Sequence, residues 1–230
     1  MNTQLALAIK LNDEATLADF NWENNTLLQQ QLKSMLTLKE DRLLYLWGSK
    51  GCGKSHILQA CCQAVNSTQS AIYLPLTLLK EWGPQTIEGI ENQTLICIDD
   101  VDTIAHVPEW EEALFHLYNR IKDMEKSLLI ISGNQPPAMM AIQLADLRSR
   151  LGWGLVIQLN ELSDDEKIST LKLHAFKRGF DLPDGVAQFL LNRCSRNMHD
   201  LHQLLNQLDD ASLAAHRKIT IPFVKDILNI

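Results

Sequence analysis

The chain has 230 residues, 46% of them hydrophobic and 21% charged, usage that suits a folded protein with a sizeable core and excludes a disordered or fibrous one. Lysine and arginine total 21 against 28 acids, and the resulting net charge of −7 argues against a broad basic surface for wrapping nucleic acid. The apolar stretches are short and broken by charges, and MNTQLALAIKLNDE lacks the basic start, long apolar middle and cleavage site of a signal peptide, so no membrane association and a cytoplasmic location are expected.

In chain order, RLLYLW from Arg42 to Trp47 is a short apolar and aromatic run ending at glycine, the pattern of a buried strand feeding a loop. Similar runs recur at AIYLP from Ala71, TLICID from Thr94, SLLIIS from Ser127 and LVIQL from Leu155. Five such strands separated by helical stretches predict a parallel five-stranded sheet with helices on its faces. Between the third and fourth strands, Trp110, Ala113, Leu114, Leu117, Tyr118 and Ile121 recur at three- and four-residue steps and predict a helix with one core-facing side. After Leu159 no strand signal remains. Ser163 and Glu166 form a capping box for a helix ending near Gly179, a second helix follows Pro183, a third carries Met198, Leu201, Leu204, Leu205 and Leu208, and a fourth starts near Pro222. The predicted fold is therefore α/β, residues 16–160, followed by an all-helical domain, residues 161–230.

The segment GSKGCGKS, comprising Gly48, Ser49, Lys50, Gly51, Cys52, Gly53, Lys54 and Ser55, satisfies GxxxxGK[ST] between a predicted strand and a predicted helix. Glycines let backbone N–H groups point at phosphate oxygens, the helix N-terminus adds positive potential, Lys54 places a charge on the outer phosphates and Ser55 offers a hydroxyl to Mg²⁺. ADP or ATP with Mg²⁺ is the implied cofactor. In TLICIDD an apolar strand ends in two carboxylates, the form of a Walker B segment: Asp99 would hold Mg²⁺ through water and Asp100 would orient an attacking water. A pair of aspartates ending a strand also serves as a helix cap. Asn134, at the end of SLLIISGN, is the candidate sensor of the outer phosphate, with a plain turn residue before Pro136 and Pro137 as the alternative. The five cysteines, Cys52, Cys61, Cys62, Cys97 and Cys194, are odd in number and lack CxxC pairs or histidines at metal spacing, so buried packing in a reduced compartment is expected.

These motifs, from Leu43 to Ile230, resemble the DnaA family of AAA+ proteins, in which the helical tail is a lid on the P-loop module. RSRLGWGL, Arg148 to Leu155, is similar to the box in which DnaA-type proteins carry an arginine finger, with Arg150 at the finger position; a surface arginine closing a helix before Gly152 is the alternative. A guanidinium there acts across a subunit interface on a transferring phosphoryl group. The chain has no room for DnaA's DNA-binding and self-association domains, and its size resembles that of the short DnaA-related regulators that provoke ATP hydrolysis on DnaA. The resemblance implies DnaA and the DNA polymerase sliding clamp (beta subunit) as partners, DNA contacted only indirectly through the clamp, a homo-oligomer as an open state, and slow turnover of the chain's own nucleotide. QLALAI looks like the clamp-binding peptide of such regulators: Gln4 would bond at a pocket rim while Leu5, Leu7 and Ile9 fill apolar pockets, residues 1–15 forming a flexible segment. The same residues packing as an amphipathic segment on their own domain is the alternative. AAA+ lids offer an arginine near the start of the third lid helix, and this chain places His199 there, with Arg196 one turn earlier as substitute. Phe20 and Trp22 are weak candidates for an adenine pocket. Against a regulator of replication initiation stand an autonomous AAA+ ATPase of the helicase-loader type, a binding module with a structural phosphate loop, and a P-loop small-molecule kinase.

Overall fold

The computed structural model describes residues 11–12, 14–38, 42–65 and 69–228, so Gln4, Leu5, Leu7 and Ile9 lie outside the described residues. The chain divides into two compact units, Met1–Ser49 with Lys54–Leu159, and Lys50–Gly53 with Asn160–Ile230.

The first unit is built on a five-stranded sheet, β1 (Leu43–Trp47), β2 (Ala71–Pro75), β3 (Leu95–Asp99), β4 (Leu128–Gly133) and β5 (Leu155–Gln158). The strands are all parallel in the order β2-β3-β4-β1-β5. The apolar composition of β1, β3 and β4 follows from burial on both faces: Leu44, Tyr45, Leu46, Ile96, Cys97, Ile98, Ile130 and Ile131 are inaccessible to solvent, whereas β5, expected as a buried strand, lies at the sheet edge with only Ile157 buried. On one face lie α4 (Pro108–Met124) and α5 (Ala145–Leu151), contributing Trp110, Leu114, Leu117, Ile121, Leu147 and Leu151 to the core. On the other, α2 (Lys54–Ala64) packs on β2, β3 and β4 through a stripe that includes Ile57, Leu58, Cys61 and Cys62. A helix not foreseen in the sequence, α1 (Thr26–Leu38), precedes β1 and buries Leu28, Leu32 and Met35, an i, i+4, i+7 stripe. The one-turn α3 (Leu76–Leu79) follows β2 directly.

Two strand ends differ by one residue from the apolar runs. The apolar run begins at Ser127, whereas β4 starts at Leu128, and the buried Ser127 hydroxyl donates to the Glu91 carbonyl at 2.8 Å. Leu159, read as the end of β5, lies just beyond it and still donates its N–H to the Trp47 carbonyl at 2.7 Å.

The second unit contains α6 (Asp164–Lys177), α7 (Asp184–Arg193), α8 (Met198–Ala215) and α9 (Ile221–Leu228). Ser163 and Glu166 make the reciprocal capping box that opens α6, and Gly179 at φ +87° follows its end. Leu171, Leu190, Leu201, Leu205, Leu208 and Phe223 fill its separate core. Among the described residues, no helix is long and apolar enough to cross a membrane. Among the described residues no cysteine is in a disulfide; Cys52, Cys61, Cys62 and Cys97 are buried and Cys194 is partly exposed.

Candidate functional site

Parallel register places the ends of three neighbouring strands at one edge of the sheet. Trp47 pairs with Gly133 and Ile98 with Ile131, so the loop after β1, the carboxylates after β3 and the turn after β4 emerge side by side. Because β4 lies between β1 and β3, the chain crosses over here, the place where open α/β sheets form a crevice at the carboxyl ends of their strands.

The Gly48–Ser55 segment runs from β1 into the first turn of α2. Gly51 and Gly53 take φ of +85° and +107°, a region that favours glycine and lets successive N–H groups turn inward. Lys54 is buried, and its ammonium donates to the carbonyls of Gly48 at 2.8 Å and Ser49 at 2.9 Å and to Asn134 Oδ1 at 3.2 Å. These acceptors are all neutral. A buried cation at a helix N-terminus, with a loop curled around it, has the charge and donors of an anion site, so the residues fit a nucleotide phosphate chain.

Asp99 is buried at the end of β3. Tyr73 Oη donates to its Oδ2 at 2.6 Å, and the Ser132 hydroxyl donates to its Oδ1. Burial, reinforced by the Asp99 carboxylate, pushes the Tyr73 phenol up, so it remains a proton donor. A buried carboxylate held only by hydroxyls suits a water-mediated role toward a divalent cation, and it fits Mg²⁺ together with the Ser55 hydroxyl. Asp100 adopts φ +57° and ψ +53°, left-handed geometry that costs a non-glycine residue roughly 1–2 kcal/mol. The strain is held by its N–H donating to Ser132 Oγ at 3.0 Å and by Thr103 donating to its carbonyl at 2.8 Å.

Asn134 is drawn to Lys54 by a residue not singled out in the sequence. Its backbone N–H donates to Asp102 Oδ2 at 2.6 Å, while the buried Tyr45 hydroxyl donates to the Gln135 carbonyl at 2.9 Å. The turn after β4 is therefore clamped from β3 and β1 alike. Lys54 is thus bonded to Asn134, while Asp99 and Asp100 are both bonded to Ser132, two positions before Asn134.

A strap before α1 lies on α2. Asn12 N–H donates to Gln59 Oε1 at 2.9 Å, Ala15 is buried, and the His56 ring nitrogen Nε2, carrying its proton, donates to the Thr16 carbonyl at 3.0 Å. Phe20 stands 5.7 Å from the His56 ring and 4.5 Å from Trp22, which brings both aromatic residues close to the start of α2. Burial holds the His56 pKa below its ordinary value, against the opposing influences of Thr16 and Asp19. The unfolded chain therefore binds this proton more readily. The resulting stability is present above the ordinary imidazole value of about 6.5 and is lost as pH falls through the lower folded value. The thermal midpoint of the native protein should accordingly drop more steeply between about pH 7 and pH 5 than that of His56→Gln. Parallel pH profiles for the two proteins would contradict this assignment.

Arg150 lies on α5, which packs on α4 and on the turn at Pro137–Met139. Its guanidinium carbon sits 4.7 Å from the Trp153 ring centre and 6.0 Å from that of Tyr118. Neither is a phosphate-loop residue. The approach to α5 is fixed by Glu111, a buried α4 carboxylate that accepts the N–H groups of His106 at 2.9 Å, Gln143 at 3.0 Å and Leu144 at 2.7 Å.

Within the second unit, an open cleft of about 430 Å³ is lined by residues that include Lys50, Gly51, Cys52, Lys167 and Arg196. Arg196 also pairs with Asp164 at 3.6 Å, whereas His199 contacts Gln203 and is not among the lining residues.

The family model for the bacterial DnaA ATPase domain matches residues 34–158, and the model for the Hda lid domain matches residues 164–228. A curated relative from Haemophilus influenzae, described as an uncharacterized protein, is 44% identical over 231 residues spanning all of both chains. Domain III of the Thermotoga maritima replication initiation protein DnaA superposes with a TM-score of 0.80 at 19% identity, covering 96% of this chain and 98% of that one. AMPPCP-bound DnaA from Aquifex aeolicus gives 0.68 at 22% identity, covering 85% of this chain and 65% of that one. The Thermotoga maritima RuvB Holliday junction branch migration motor gives 0.68 at 16% identity, with 94% and 71% covered.

Proposed function

Because the chain belongs to the DnaA-related, Hda-like family of AAA+ proteins, we propose that it is a negative regulator of replication initiation that stimulates hydrolysis of ATP bound to DnaA. The single observation that carries this reading is an arginine at the finger position, Arg150, held on aromatic rings and bonded to none of its own phosphate-loop residues. Such a guanidinium is suited to a phosphoryl group supplied by another molecule.

In this reading the chain's own site holds ADP or ATP with Mg²⁺. The bound nucleotide supplies phosphate charge and the ion neutralises part of it. Loop N–H groups from Gly48 to Ser55 and the Lys54 ammonium bind the phosphates, Ser55 and Asp99 hold the ion, Asn134 senses the outer phosphate, and Asp100 orients a water. Arg196 or His199 serves as the second sensor, and the lining of the helical unit's cleft favours Arg196. Domains are assigned as a clamp-binding peptide over residues 1–15, a nucleotide module over 16–160 and a lid over 161–230. Gln4, Leu5, Leu7 and Ile9 tether the protein to the DNA-loaded sliding clamp, which raises its effective concentration near DnaA on the same DNA.

The test follows labelled ATP prebound to DnaA in the presence of this protein, nucleotide and clamp-loaded DNA. Stimulation that falls tenfold or more when the clamp is omitted, or when Gln4 and Leu7 are replaced by alanine, is the expected result. Absence of stimulation together with brisk hydrolysis by this protein alone would establish the autonomous ATPase instead.

A further inference from the structure

An exposed indole beside Arg150 is left without a role by the site described so far. Trp153 is 57% exposed, so it contributes little to the core, yet its surroundings are strongly constrained. Its backbone N–H donates to the Arg150 carbonyl at 3.1 Å as α5 ends. The next residue, Gly154, runs so close to β1 that a Cβ there would lie 2.5 Å from the Leu43 carbonyl oxygen and 2.7 Å from Leu43 Cβ. The turn is therefore fixed to the sheet, and the indole can shift only by rotating its own side chain.

That rotation is opposed from α4. Lys122 Nζ sits 3.5 Å from the centre of the Trp153 ring, and Tyr118, four residues earlier on the same helix face, reaches Arg150. Ammonium and guanidinium groups are attracted to the negative face of an aromatic ring, and an indole attracts them most. Among the described residues neither Lys122 nor Arg150 has a carboxylate partner, although acids outnumber bases in the chain. Two cations gathered on one exposed indole without a counter-ion make a local positive site directed at an incoming anion. A stacked guanidinium also loses less freedom when it binds than one free in solvent.

We propose that Trp153 is a positioning residue for Arg150: in contact with both Lys122 and the guanidinium, it holds the arginine extended toward a phosphate chain carried by a partner AAA+ module. This rests on the trans role of Arg150 given above. Its consequence is a division of labour, in which Trp153 governs the rate once the partners have met and contributes little to their meeting.

Two measurements test it. The first records the Arg150 Nε–H resonance of the full chain by NMR; the indole ring current should displace it upfield, an effect retained in Trp153→Phe in reduced form and abolished in Trp153→Ala. The second titrates each variant into DnaA carrying labelled ATP. Trp153→Ala should lower the maximal stimulated rate tenfold or more with less than a threefold change in half-saturating concentration, Trp153→Phe should restore most of it, and thermal midpoints should stay within a few degrees. An unshifted resonance, or a Trp153→Ala defect confined to half-saturation, would overturn the positioning role and make the indole a docking contact. Unchanged stimulation by Trp153→Ala beside a silent Arg150→Ala would overturn it as well. Full stimulation by Arg150→Ala would remove the reading beneath it, an outcome distinguished by that variant alone.

Discussion

Arg150→Ala is expected to reduce the stimulated hydrolysis of DnaA-bound ATP by on the order of 10³, the lower end of what an arginine finger contributes to phosphoryl transfer. The guanidinium has no carboxylate partner among the described residues and rests on the faces of Trp153 and Tyr118. Its removal therefore leaves no buried charge unpaired, and the fold should survive with a thermal midpoint close to that of the native protein. Arg150→Lys should restore little, because an ammonium is a compact point charge that cannot present the planar fork of donors and stacks less well on the rings. Binding to DnaA, measured without turnover, should change by only a few-fold. A variant that keeps more than half of the stimulation would refute the trans role of this residue.

Glu111→Ala should have the largest effect on stability. The side chain is 1% exposed, and its carboxylate collects three backbone N–H groups from two loops, His106 before α4 and Gln143 and Leu144 at the entry to α5. Alanine would strand those donors away from water and leave a cavity, and breaking a buried charged network in this way costs about 3–5 kcal/mol. For a chain of this size that corresponds to a fall of roughly 10 °C in the thermal midpoint. Glu111→Gln retains one carbonyl acceptor and should lose about half as much. Calorimetry on the two variants decides the matter, and a loss under about 1 kcal/mol for alanine would show that the loops find other acceptors. Since Leu144 immediately precedes α5, partial loss of stimulation should accompany the instability.

The two residues differ in how far the sequence points to them. Arg150 is a candidate from the sequence because its surroundings, RSRLGWGL, form a local pattern. Glu111 is not, because a glutamate in an amphipathic helix has the same sequence signature whether it faces water or accepts N–H groups from the loop before its own helix and from a loop more than thirty residues away. Asp102 and Tyr45 escaped notice for the same reason: their partners, Asn134 and Gln135, lie 32 and 90 residues away. Helix α1 was missed although its apolar spacing was present in the sequence.

The sequence by itself determined the parts that depend on neighbours along the chain. Apolar runs specified five strands, Ser163 and Glu166 specified the start of α6, and GSKGCGKS specified a glycine-rich turn leading into α2, since periodicity, capping and glycine-rich turns are local properties. Only the tertiary structure decided that β4 inserts between β1 and β3. Strand order is set by which faces bury together across long separations, and no local pattern encodes it. That insertion brings Asn134 to Lys54 and Ser132 to Asp99, while the packing of α5 on α4 leaves Arg150 on Trp153 and Tyr118.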